Sequence, residues 1–160
     1  MNTTALASNG ASPAATSAWR FDHVNVSMAD SRALSSLFEN VMGLQAGYRP
    51  PFPFPGLWLY AGDQAVVHAV DDAGLATEPS AVSFGHIAFR SEQPAALVIE
   101  QLRAHGLAFR LARVPQENTA QIFVLLPGGF VVELDVPDDD ALPMSHTCIA
   151  QHASSSPWDF

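Results

Sequence analysis

Lysine is absent from this sequence of 160 residues, and positive charge is scarce altogether. Seven arginines face sixteen aspartates and glutamates, which gives a formal net charge of -9 at pH 7. Nucleic-acid binding depends on clustered cations that neutralise phosphates, so a nucleic acid is not an expected partner. The acidic balance by itself mostly indicates solubility.

Cysteine and long apolar runs are scarce as well. Cys148 is the only cysteine, which excludes an intrachain disulfide and makes a reducing cytoplasm the expected compartment. The longest apolar runs, such as Ile122 to Leu126, have the length of a strand. They fall far short of the roughly 20 residues that a membrane helix needs, so no membrane partner is expected.

The two ends of the sequence differ in composition from its middle. Residues 1–18 are rich in Ala, Ser, Thr and Asn and lack the basic start and apolar core of a secretory signal, so we predict a disordered leader. Residues 138–160 begin with three aspartates and end rich in serine, which predicts a C-terminal tail. The remainder, 19–137, is long enough for one domain with a sizeable core.

An internal repeat organises this domain. The stretch Phe84–Phe89 repeats the pattern of Phe21–Val26, with an aromatic residue, a turn or small residue, a histidine and a β-branched residue, 63 positions later. After a two-residue insertion, Val66–Val70 corresponds in the same way to Val131–Asp135. Such self-similarity indicates two copies of one structural unit.

Each copy, 19–71 and 81–137, shows the same succession of patterns. A strand is followed by an amphipathic helix that ends at a Gly-Leu pair, and then by three short strands, the first of them at 45–49 in the first copy. Four prolines forbid regular pairing between Arg49 and Gly56, so a stiff aromatic loop is predicted there. Each copy is therefore predicted to be a βαβββ unit. The first helix is predicted to bury an apolar stripe of Leu34, Leu37, Phe38, Val41 and Met42.

Side chains able to bind a metal recur at matched positions of the repeat. They are His23, His68, His86 and Glu133. Imidazole with carboxylate is the ligand mixture of Zn(II), Fe(II), Mn(II), Ni(II) and Co(II) sites. A single histidine on a strand is more often a hydrogen-bonded core residue, but an ionised Glu133 among valines is expensive to bury without a partner. The repeat therefore favours a divalent metal ion at these residues.

With these residues the sequence resembles the vicinal oxygen chelate superfamily, which includes glyoxalase I, extradiol dioxygenases, fosfomycin resistance enzymes and bleomycin resistance proteins. The resemblance covers roughly residues 20–137 and depends on His23, His86, the helices that end in Gly-Leu and the final Val-Val-Glu-Leu. It implies an α+β fold in which two βαβββ units form paired curved mixed sheets around a central cleft. It also implies a homodimer and a metal held by His23, His86 and Glu133, with His68 as the fourth ligand.

The sequence departs from each well-known branch of this superfamily. Ser27 stands where glyoxalase I has an Arg for glutathione, Phe123 stands where extradiol dioxygenases have a Tyr, and the Lys of fosfomycin enzymes is missing. The resemblance therefore implies a metal-dependent enzyme that chelates a small oxygenated organic substrate through adjacent oxygens, by lyase or isomerase chemistry. The alternatives are an extradiol-type dioxygenase and a non-catalytic protein that binds a small molecule such as an antibiotic.

Candidate catalytic and substrate-binding residues follow from this expectation. Glu133 or His68 is predicted to shuttle a proton beside the bound oxygens, because a base next to the metal needs only hydrogen-bond reach. The aromatic loop offers Arg49 for a substrate carboxylate, although its aromatic residues also suit simple packing of the loop on the sheet. The predicted substrate-binding set is Arg49, Trp58, Tyr60 and Phe123, with Arg90 and Arg113 as further candidates.

Overall fold

Two units of the same design make up the computed structural model, which describes residues 17–28, 31–71, 82–138 and 147–148. The first unit contains β1 (Arg20–Met28), a helix that begins as α1 (Ser31–Leu34) and continues as a π-helix (Ser35–Val41), β2 (Gln45–Ala46), β3 (Gly56–Ala61) and β4 (Gln64–Asp71). The second contains β5 (Val82–Arg90), α2 (Ala95–Ala104), β6 (Phe109–Arg113), β7 (Thr119–Leu126) and β8 (Phe130–Pro137). The α+β class and the two βαβββ units are confirmed.

The strands of both units join into one sheet. Its order is β2-β3-β4-β1-β5-β8-β7-β6-β9, where β9 is Thr147–Cys148, and the sheet is curled but not closed. The antiparallel pair β1–β5 joins the two units edge to edge. Within each unit the first and last strands are parallel neighbours, β1 with β4 and β5 with β8. The four strands that carry the predicted ligands are therefore the four central strands.

One short strand comes from the predicted tail. Thr147–Cys148 pairs with β6 and extends the sheet beyond the second unit. Residues 1–16 of the predicted leader, residues 72–81 between the two units and the other tail residues after 138 lie outside the described residues. Within the described part of the chain, neither helix has the length and apolar character needed to cross a membrane.

The first helix differs from the regular amphipathic α-helix that the sequence predicts. Only its first four residues are α-helical, and the π-helical continuation closes where Met42 N–H donates to Leu37 O over 2.9 Å. Because π turns are wider than α turns, the apolar residues no longer recur on one face. Leu34 is buried and Phe38 packs against the core, whereas Leu37, Val41 and Met42 are at least half exposed. The predicted buried stripe is therefore wrong for these three residues.

The second strand is shorter than the predicted span of 45–49. Only Gln45–Ala46 pairs with β3. Gly47 still donates its N–H to the carbonyl oxygen of Trp58, but the prolines that begin at Pro50 supply no further donors to the ladder. The predicted loop between Arg49 and Gly56 is confirmed.

The helices cover one face of the sheet and leave the other face for the site. The larger core lies between α2 and strands β6, β7 and β8, and its most buried side chains are Ala95, Val98, Phe109, Ile122 and Val136. Successive side chains of a strand point to opposite faces. On β8, Leu134 and Val136 therefore face α2, while Glu133 and Asp135 face the other way and are nevertheless buried.

Candidate metal centre

Strand pairing brings the predicted ligands together. Asn25 lies opposite His86 in the β1–β5 ladder and opposite His68 in the β1–β4 ladder, so these three side chains share a face. His23, beside a β-bulge in β1, lines the same cavity as Asn25. Glu133, from the parallel neighbour of β5, lines it as well. The repeat thus places all four predicted ligands around one cavity, on the face of the central strands away from the helices.

Three of the four form a compact ligand set, which we call the triad: His23, His86 and Glu133. Their ligand atoms all lie within 4.8 Å of one another. Glu133 Oε2 is 2.5 Å from His86 Nε2 and 3.8 Å from His23 Nε2. Neither Nε2 atom makes a hydrogen bond of normal geometry, although both are buried and that of His86 touches Glu133 Oε2. Two imidazole nitrogens that lack a normal hydrogen bond and converge on a buried carboxylate fit a divalent cation, since each can then donate its lone pair.

Asp22 and Arg90 orient His23 from the side away from the cavity. Asp22 Oδ2 accepts a hydrogen bond from His23 Nδ1 at 2.9 Å, and Arg90 Nε donates to Asp22 Oδ1 over the same distance of 2.9 Å. Burial of Asp22 opposes its ionisation, but the hydrogen bond from His23 and the charge of Arg90 outweigh burial and lower its pKa. An ionised Asp22 keeps the ring proton on Nδ1, which leaves Nε2 of His23 available to a metal.

Glu133 is also held in place. Gln121 Nε2 donates a hydrogen bond to Glu133 Oε1. Burial by itself would raise the pKa of Glu133, but its contact with His86 and the nearby charge of His23 outweigh burial and lower that pKa. Asp135, two positions further along β8, behaves in the opposite way, because burial and then the charge of Glu133 raise its pKa to about 9. Of the two neighbouring carboxyl groups, Asp135 therefore holds a proton more readily and Glu133 is the one that ionises.

A second group of possible ligand atoms lies on the far side of His23. Asp22, His23 and Asp135 also bring ligand atoms within 4.8 Å of one another. Here a cation is already present, because Arg90 donates to Asp22 and its Nη2 lies 3.6 Å from Asp135 Oδ2. This group therefore supports the triad and is not a second metal site.

His68 reaches the cavity but stands apart from the triad. Its ring stacks between the rings of His23 and Trp58, with centroid distances of 3.5 and 3.6 Å. The ring nitrogens of His68 are not part of the set of ligand atoms that lie within 4.8 Å of one another. Burial, and then the charge of His23, lowers the pKa of His68 to about 2, so this ring is neutral. The role of His68 as fourth ligand stays a prediction, and in this geometry the ring is a wall of the cavity.

Three of the four predicted substrate-binding residues line the same cavity. Arg49, Trp58 and Phe123 help to enclose about 90 Å³ in front of the triad. Arg49 donates to the carbonyl oxygen of Phe54 at 2.8 Å, and its guanidinium lies 5.1 Å from the centre of the Phe54 ring. Tyr60 does not line this cavity, and its hydroxyl donates to a backbone carbonyl at 2.7 Å. The aromatic loop therefore packs on itself and also closes one side of the cavity.

Sequence reasoning missed Asp22, Gln121 and Asp135. The two aspartates carried a signal, since one precedes His23 directly and the other follows Glu133 by two positions on the same face. Gln121 carried none, because only the antiparallel pairing of β7 with β8 brings it beside Glu133.

No protein-family model and no curated protein matches the chain, whereas solved structures match it in fold. Methylmalonyl-CoA epimerase from Mycobacterium tuberculosis is 19% identical, with a TM-score of 0.54, over 74% of this chain and 88% of the epimerase. The 2,3-dioxygenase LapB from Pseudomonas sp. KL28 is 17% identical, with a TM-score of 0.56, over 75% of this chain and 41% of the dioxygenase. A variant of Streptomyces coelicolor methylmalonyl-CoA epimerase in complex with 2-nitronate-propionyl-CoA is 16% identical, with a TM-score of 0.54, over 75% of this chain and 98% of the epimerase.

These structures share an architecture. Both enzymes, the epimerase and the dioxygenase, belong to one superfamily, and at identities of 16 to 19% the likeness is one of fold. The matched part is nearly a whole epimerase chain but only about two fifths of the dioxygenase chain. The protein therefore has the fold of the vicinal oxygen chelate superfamily, as its sequence resemblance predicted.

Proposed function

We propose that the protein is a divalent-metal-dependent enzyme that binds a small oxygenated organic substrate through two adjacent oxygens. The observation that carries this proposal is the convergence of the buried Nε2 atoms of His23 and His86, which make no normal hydrogen bond, on the carboxylate of Glu133. In the triad these three residues would hold the metal. A metal in this position supplies a Lewis acid that holds the substrate oxygens and stabilises negative charge on them.

The surrounding side chains would orient the substrate and exclude water. Gln121 fixes one carboxylate oxygen of Glu133, and Asp22 fixes the tautomer of His23. Trp58 and Phe123 give the cavity apolar walls, which suits a small organic molecule and strengthens electrostatic interactions inside. Catalytic roles for Glu133 and His68 in moving a proton beside the bound oxygens remain part of this proposal.

The favoured chemistry is that of an isomerase or lyase. The epimerase structures support it, because the chain covers 88 to 98% of their length and an epimerisation is an isomerase reaction. A dioxygenase of the extradiol type is the second candidate. It is favoured by the three-residue ligand set, since two histidines and one carboxylate with open positions are typical of iron(II) oxygenases.

Metal analysis of the purified, tag-free protein tests the proposal. We expect about one divalent ion per chain, after reloading with Zn(II), Ni(II), Co(II), Mn(II) or Fe(II) where the ion is lost in purification. Oxygen uptake by the iron-loaded protein with catechol would establish the dioxygenase candidate, whereas Zn(II), Ni(II) or Co(II) as the resident ion would support isomerase or lyase chemistry. A protein that binds none of these ions overturns the enzyme proposal in favour of small-molecule binding.

Replacing His68 by Ala tests whether that residue is a ligand. We expect the His68→Ala variant to keep the metal content of the wild type, because the ring stacks on His23 instead of joining the triad. Metal content after dialysis against metal-free buffer measures this, with the exposed His105→Ala as the matched control. Loss of the ion in His68→Ala alone would make His68 the fourth ligand.

A further inference from the structure

A larger cavity adjoins the one in front of the triad. It has a volume of about 520 Å³ and shares several lining residues with the smaller one, among them His86 and Phe123. Phe52 and Phe54 of the aromatic loop line both cavities. A space of this size suits a small organic ligand, and its position allows one ligand to occupy both cavities.

Positive charge is concentrated around this space. The chain has seven arginines and a net charge of -9, yet Arg110 and Arg113 line the larger cavity and Arg49 lines the smaller one. Among the described lining residues of the two cavities, Glu133 is the only acidic side chain. An acidic protein has thus placed three of its seven arginines along the two cavities, which favours an anionic ligand there, although Asp138 offsets part of the charge of Arg113.

The sheet sets the distance between the positive charge and the triad. Arg110 on β6 lies opposite Phe123 on β7, and Phe123 lies opposite Glu133 on β8. Neighbouring strands are about 4.8 Å apart, so the backbones of Arg110 and Glu133 are separated by about 10 Å. The guanidinium of Arg110 lies 5.1 Å from the centre of the Phe123 ring, which holds it beside the cavity. A ligand made of one aromatic ring with substituents at both ends is long enough to reach from Arg110 to the triad.

We propose that Arg110 and Arg113 form a carboxylate subsite, and that the substrate is a flat organic acid with its carboxylate remote from its two metal-chelating oxygens. The inference rests on the proposed function and adds the substrate class to it. A carboxylate suits this subsite better than a phosphate dianion, because Arg113 already faces the carboxylate of Asp138 at 2.5 Å. Arg110 is the nearer partner of the ligand, because its guanidinium lies by the ring of Phe123, which lines both cavities, and it can make the paired hydrogen bonds of a guanidinium with a carboxylate.

Calorimetric titration of the Zn(II)-loaded protein with two probes tests the subsite. Catechol carries only the adjacent oxygens, and 3,4-dihydroxybenzoate adds a carboxylate across the ring. We expect 3,4-dihydroxybenzoate to bind about tenfold more tightly, as charge-assisted hydrogen bonds allow. Arg110→Gln should remove most of this preference and Arg113→Gln part of it, and in both variants the affinity for catechol should fall much less than the affinity for 3,4-dihydroxybenzoate.

Arg20→Gln is the matched control, because Arg20 is exposed and pairs with Glu92 outside both cavities. Equal affinity of the wild type for the two probes, or a preference that persists in both cavity variants, overturns the subsite. Benzoate, titrated into the metal-free protein, separates this inference from the proposed function. Benzoate binding that depends on Arg110 supports the subsite even where no metal binds. Metal-dependent catechol binding without any preference for the carboxylate would support the metal site and refute the subsite.

Discussion

The Glu133→Gln variant is expected to bind a divalent metal more than about 100-fold more weakly than the wild type. This loss exceeds the roughly 10- to 100-fold that is typical when a residue hydrogen-bonded to a ligand is replaced. Glutamine keeps the shape of the side chain and can still accept the hydrogen bond from Gln121. It lacks the negative charge, and a neutral amide oxygen is a poor substitute for the carboxylate between two imidazoles. Competition titration against a Zn(II)-binding dye measures the affinity.

Two controls accompany this variant. Glu100→Gln removes an exposed carboxylate from α2 and should leave metal affinity unchanged. The thermal midpoint of metal-free Glu133→Gln shows whether the variant folds, and it should fall below that of the metal-free wild type, because the substitution removes the buried charge that contacts His86 and lies near His23. Unchanged metal affinity in a folded Glu133→Gln protein would refute the triad and direct attention to Asp22, His23 and Asp135.

The Asp22→Asn variant is expected to lose about 10- to 100-fold in metal affinity, although Asp22 is not one of the triad. This is the range typical of residues that hydrogen-bond to a metal-ligating histidine. The carboxylate of Asp22 holds the proton of His23 on Nδ1. An asparagine can turn its amide N–H₂ towards Nδ1 and so favour the tautomer that carries its proton on Nε2, where the metal lone pair is needed. Its neutral amide also loses most of the ion pair with Arg90.

The same dye competition measures this effect, and Asp63→Asn in the exposed turn between β3 and β4 is the matched substitution that should change nothing. An affinity of Asp22→Asn equal to that of the wild type would mean that His23 needs no carboxylate to orient it. Together with Glu133→Gln, this variant separates the residues that touch the metal from those that act through a neighbour.

The sequence predicted the architecture, and it singled out the candidate ligands that the fold brings together, because both depend on local and repeated patterns. The repeat identified two βαβββ units, and matched positions within them identified His23, His86 and Glu133. The first strands of the two units are neighbours, so any histidine at their matched positions comes near the join between the units. Glu133 stood out because an unpartnered carboxylate is costly at a buried position.

Other features depended on contacts between distant parts of the chain. The stacking of His68 between Trp58 and His23 follows from three strands packed side by side, and no spacing in the sequence expresses it. Tyr60 was predicted to bind substrate because it follows the aromatic loop, yet its hydroxyl donates a hydrogen bond to the backbone carbonyl of Tyr48, away from the cavity. The first helix followed wider turns than its apolar spacing suggests, which exposed Leu37 and Val41.

By itself, then, the sequence determined the α+β class, the two units and the residues able to bind a metal. Periodicity, turn residues and an internal repeat are all visible in the order of the amino acids. Only the tertiary structure decided which of those residues converge, how Asp22 and Arg90 set the tautomer of His23, and where Arg110 lies relative to Glu133. These outcomes depend on strand register and on ring orientation, and both are set by the packing of the whole sheet.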